Sequence, residues 1–89
     1  MFTFLSEALS ASSTQLAETV SHANSAIGAG LAVVGAGIGI GLIGHGAGLG
    51  IARQPEAVGD IKGNAIVLAA LVEGATFFAI VVALLFALK

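Results

Sequence analysis

Two long apolar runs with one polar cluster between them set the pattern of the chain. From Ala26 to Ala52 there is no formally charged residue. At about 1.5 Å per helical residue that run measures about 40 Å, more than the roughly 30 Å of a bilayer's hydrocarbon core. A spanning helix is predicted over 26–52. From Ala65 to Leu88 the chain is again apolar apart from Glu73 and Thr76, and Lys89 follows where its ammonium can snorkel to an interface. This predicts a second span within 64–89, with 53–63 as the polar loop and the start of helix two. The expected fold is an all-α membrane protein, a hairpin of two transmembrane helices.

The strong polarity gathers at the turn: Arg53, Gln54, Pro55 and Glu56, then Gly59, Asp60, Lys62 and Gly63. Pro55 cannot continue a helix from Gln54 but suits the first turn of the next one, where Glu56 and Asp60 complement the positive end of the dipole. A helix from near Pro55 to Leu88 would run about 50 Å, so its loop end should project into water as a docking surface. Arg53 and Lys62 set against Lys89 tilt the loop to the cytoplasmic side, with both termini opposite.

Residues 1–25 form a polar N-terminal extension. Glu7, Glu18 and several Ser and Thr are mixed with Leu5, Leu9, Leu16 and Val20. There is no basic n-region with an unbroken apolar core, and no Arg as in a transit peptide, so the segment reads as retained. Two readings stay open: a weakly amphipathic helix on the membrane surface, or a partly frayed lead-in.

Within the first span lie Gly35, Gly37, Gly39, Gly41, Gly44, Gly46, Gly48 and Gly50. Each costs about 1 kcal/mol relative to Ala in an aqueous helix. In lipid, glycine permits close helix approach. At about 100° per residue, Gly35, Gly39, Gly46 and Gly50 share one stripe, and Gly37, Gly41, Gly44 and Gly48 share a stripe roughly opposite. Two thin sides suit a helix with identical neighbours on its left and right, and heterologous contacts of that kind close into a ring. The alternative is one stripe packed on helix two and the other on a single partner. Gly39, Gly41 and Gly44 also satisfy G-x-G-x-x-G, but in mid-span, with no strand before it and no soluble half after it, this is a chance match.

Glu73 stands near the middle of the second run, where a formal charge costs at least about 2.5–3.5 kcal/mol. The neutral, protonated acid is the cheap state, and a change of surroundings that admits water or a cation can remove the proton. Ile66, Ala69, Ala70, Thr76, Phe77 and Ile80 fall on the same helical face. Ala70 gives room, Phe77 excludes water, and Thr76 either supports the proton site or bonds back to the carbonyl of Val72. A purely structural acid, hydrogen-bonded to a neighbour's carbonyl, is the plainer alternative for Glu73. His22 and His45 have no companions for a metal site.

Composition agrees with lipid as solvent. The chain has 89 residues, 57% of them hydrophobic and 9% charged, and a mean hydropathy of +1.07. Three basic and five acidic residues cannot clothe a soluble domain. A net charge of −2 with no basic residue before Arg53 argues against nucleic acid, which needs clustered cations. With no cysteine, disulfides, thiolate catalysis and Cys-based metal sites are excluded.

The glycine-rich first helix, the Ala52, Arg53, Gln54, Pro55, Glu56 turn and a carboxylate twenty positions after that Arg together resemble the c subunits of F-type ATP synthases, the proteolipids, over nearly everything after Ser25. The resemblance implies a homo-oligomeric ring of hairpins in membrane lipid, with helix one inside and helix two outside. It puts Glu73 in the place of the reversibly protonated carboxylate, and Arg53, Gln54 and Pro55 in the loop that meets the gamma and epsilon subunits of the central stalk. An arginine on the neighbouring a-subunit would discharge the carboxylate as it passes. The chain would be non-catalytic by itself, with H+ carried and no cofactor, in a bacterial plasma membrane or an organellar inner membrane. Rival readings are a sodium-carrying or V-type proteolipid, or a structural or pore-forming hairpin. The long polar extension departs from the bacterial pattern.

Overall fold

A computed structural model describes all residues, 1–89, as one helical hairpin. Helix α1 runs over Phe2–Arg53, a 3-10 turn over Pro55–Ala57 and helix α2 over Val58–Ala87, with no strand. The molecule measures 81 × 16 × 7 Å, one layer of two antiparallel rods. Both are apolar and long enough to cross a membrane, the second counted from Pro55 to Ala87.

The reversal is made by few residues. Gln54 leaves the helical region at φ −135° and ψ 74°, while its N–H still donates to the Gly50 carbonyl at 2.8 Å. Pro55 then opens the 3-10 turn, which the Ala57 N–H closes onto the Gln54 carbonyl at 3.0 Å. The expected start of helix two near Pro55 therefore takes the form of a 3-10 turn that relaxes into α-helix at Val58. Arg53 in the last turn of α1, Glu56 in the 3-10 turn and Asp60 in the first turn of α2 each carry the sign that their helix end favours.

No residue is buried; two rods can only half-cover one another. The half-buried positions on α1 are Ser25, Ala29, Ala32, Ala36, Gly39, Ile40, Ile43, Ala47, Gly50 and Ile51. On α2 they include Ile61, Ala65, Ala69, Val72, Thr76 and Ala79. Steps of three and four are those of a left-handed helix seam, and its residues are mostly small. The register is fixed where a Cβ on Gly39 would meet Val72 Cγ1 at 3.9 Å, and where one on Gly50 would meet Ile61 Cδ1 at 3.3 Å. Those two pairs are equally spaced on both helices, and the same register brings His22 beside Ala83, Leu84 and Ala87 at the end of α2.

The helix does not break at residue 25. The extension is neither frayed nor bent away: α1 begins at Phe2 and continues straight into the span. Because α2 ends level with about His22, residues 2–21 stand beyond it by about 30 Å. Every residue from Met1 to Asn24 is exposed.

Candidate functional site

Glu73 follows Val72, a seam residue, and one residue of helix turns the chain by about 100°. Its carboxylate is thereby carried out of the seam to the lateral flank of the hairpin, where it is exposed. It lies in a groove of about 290 Å³ walled by Val33, Ala36, Gly37 and Ile40 of α1 and by Thr76, Phe77 and Ile80 of α2. Apart from Glu73 and Thr76 the walls offer no polar side chain.

Thr76 and Phe77 join Glu73 as expected from their helical phase. The Thr76 hydroxyl donates to the Val72 carbonyl at 2.7 Å, so it is occupied within its own helix. Ala70 is exposed and is not one of the groove's walls. Ile66 and Ala69 line the next groove along the same flank, with Gly44, Gly48 and Lys62. The α1 wall was not read from the sequence. Counting equal distances back from the Gln54 turn places Glu73 opposite Gly35, at the start of the glycine run, and that count was the available signal.

The second glycine stripe is lateral, and the first is divided between the seam and the other flank. Gly37, Gly44 and Gly48 lie on the Glu73 flank, while Gly46 and Gly50 line a groove on the other flank with Ile61, Asn64 and Leu68. The first stripe leans toward α2: Gly39 and Gly50 have α2 side chains within 4 Å of a Cβ position, whereas Gly35 and Gly46 do not. Around Gly37, Gly41, Gly44 and Gly48 a Cβ would meet nothing of this chain. At the far end, Arg53, Gln54, Pro55 and Glu56 are all exposed, and Glu73 is separated from them by about five turns of helix.

Residues 25–86 match the family model of the ATP synthase C subunit. The chain belongs to the ATP synthase c-subunit family. It is 59% identical over 72 residues to the ATP synthase c subunit of Bacteroides thetaiotaomicron, covering 81% of this chain and 85% of that protein. Shorter matches are 65% identical over 34 residues to the ATP synthase c subunit of Phocaeicola vulgatus, covering 38% of this chain and 40% of that one. The corresponding ATP synthase protein of Azobacteroides pseudotrichonymphae is 68% identical over 31 residues, covering 35% and 38%. Membership makes the chain one member of the ring within an ATP synthase. With two apolar helices and these relatives, it is a bacterial integral membrane protein.

Proposed function

We propose that this protein carries protons through reversible protonation of Glu73, and that proton flow past the ring turns it and drives ATP synthesis. One observation supports this above the others: the only acid of the second apolar run stands on an apolar lateral flank, where another chain can pass it. A neutral Glu73 can face lipid or a neighbouring hairpin. The ionised form, at a cost of at least about 2.5–3.5 kcal/mol in the bilayer, is tolerated only beside a compensating cation and water, the part assigned to the neighbouring a-subunit and its arginine. Protonation state and rotational position are thereby tied. One charge crossing 100 mV supplies only about 2.3 kcal/mol, so many identical sites on one rotor must be pooled for each ATP. Arg53, Gln54 and Pro55, exposed at the turn, pass the torque to the gamma and epsilon subunits, with the loop on the cytoplasmic side.

A sodium-carrying site is the second reading, and the groove does not favour it. Sodium needs several oxygen ligands; sodium-type relatives put a Gln at the position of Ile40 and a Ser or Thr at that of Gly74. Here Ile40 walls the groove and the Thr76 hydroxyl is turned to Val72. The test is labelling by dicyclohexylcarbodiimide, which modifies a protonated membrane carboxyl. Rapid labelling at Glu73 with loss of proton transport, unaffected by sodium at fixed pH, is the expected result. Inert behaviour would return Glu73 to a structural role, and sodium protection would make the cargo sodium.

A further inference from the structure

The overhang of α1 is the part of the molecule that membership in the family leaves unexplained, since the family match begins at residue 25. Most of its large apolar side chains share one face, Phe4 alone standing nearer the seam side. Phe2, Leu5, Leu9, Leu16 and Val20 fall within one stripe, about half a turn away from the seam and continuous with Ile27 and Leu31 in the span. These five residues are between 46% and 86% exposed. Glu7 and Glu18 lie on the opposite side, in line with the seam. A helix of about 20 residues standing alone in water is marginal, and an exposed apolar stripe marks a surface to be covered.

The membrane surface is a poor cover. No Gly or Pro occurs between Phe2 and Ile27, and α1 runs unbroken through Gly28 and Gly30, so the overhang stands in line with the span rather than lying down. The overhang has two carboxylates and no Lys or Arg, the wrong sign for anionic lipid headgroups. A second copy fits better. On the flank away from Glu73, Leu16 and Val20 form one edge of a groove of about 910 Å³ whose other edge is Phe78, Val82 and Phe86. That groove runs through Gly28 onto the flank carrying Gly46 and Gly50, the side along which ring neighbours lie. The flanks of the overhang stay small, with Ser10, Ala17 and Ser21 on one side and Ala8, Ser12 and Thr19 on the other, so neighbouring helices can continue side by side.

We propose that the N-terminal overhangs of adjacent copies pack side by side into a helical collar that extends the ring about 30 Å beyond the end of α2. The apolar stripe lies on the collar's inner side and Glu7 and Glu18 on its outer side. The proposal rests on the ring reading given above.

The chain has no cysteine, so introduced thiols report cleanly. In the full-length Ser10→Cys, Ser12→Cys double variant, adjacent copies bring the two thiols together, and mild oxidation of purified rings should give a ladder of cross-linked oligomers. The Ala11→Cys, Glu18→Cys pair, facing outward, should give little. Intact rings by mass with no ladder, or with equal ladders from both pairs, would overturn the collar. So would quenching by brominated acyl chains of a fluorophore at Leu9→Cys to the extent seen at Leu85→Cys, on the α2 face turned away from the seam, since the overhang would then lie in lipid. If no ring is found by mass with either variant or the parent chain, the ring reading fails instead.

Discussion

Had Glu73 occupied the position of Val72, its carboxylate would point into the seam against α1 and could meet no passing partner. One residue further on it leaves the seam by about 100° while keeping the apolar walls of Val33, Ile40 and Phe77. Glu73→Gln keeps the shape of the protonated acid, so rings should assemble with unchanged mass while ATP-driven proton pumping in vesicles falls to background. Retained pumping would remove Glu73 from the mechanism. Thr76 has the opposite expectation. Its hydroxyl is bonded to Val72 within the helix, a contact that contributes little in lipid, on average about 0.6 kcal/mol even for bonds between helices. Thr76→Val should therefore leave the pumping rate within about threefold, the equivalent of that energy. A tenfold loss would show that the hydroxyl leaves Val72 to serve the proton.

At the scale of elements, the turn and both spans were legible because charge is expensive in lipid and so marks its edges. Pro55 marked the reversal ahead of α2, and the absence of charge over 26–52 marked the apolar part of α1, though not its start at Phe2. The seam was not legible: in helices apolar on every side, positions such as Ala29, Ala36, Ala65 and Ala69 carry no period that distinguishes them from the lipid face. The N-terminal helix was ambiguous for another reason. Leu5, Leu9, Leu16 and Val20 keep helical spacing, but Ser10, Ser12, Ser13 and Thr14 interrupt it with residues that compete for the backbone. In the structure they do so without breaking the helix: Ser13 and Thr14 both donate to the Ser10 carbonyl, at 3.0 and 2.9 Å. At the turn, Pro55→Ala removes a fixed φ that helps hold the reversal, at a cost of about 0.4–1 kcal/mol. Arg53→Ala removes the one cation in the last turn of α1. Each should lower the ATP made per proton passed while carbodiimide labelling at Glu73 stays unchanged; an unaltered ratio would remove the turn from coupling.

For the whole molecule, a hairpin with no buried residue depends on its neighbours for most of its packing, and the glycines separate what belongs to the hairpin from what belongs to the ring. At Gly50 an added Cβ would come within 3.3 Å of Ile61 of the same chain, so bulk there disturbs the hairpin itself. At Gly44 and Gly46 it would meet nothing of this chain, although the two residues lie on opposite flanks. Gly44→Leu and Gly46→Leu should therefore leave the hairpin folded, with unchanged helicity in detergent, while each sharply reduces the yield of rings. In a closed ring the same displacement recurs at every interface and cannot be absorbed locally. A single interface of dimer type would be damaged by only one of the two. Mass measurement of purified assemblies decides between them: full ring yield with Leu at either position would mean that the corresponding flank faces lipid rather than a neighbouring copy.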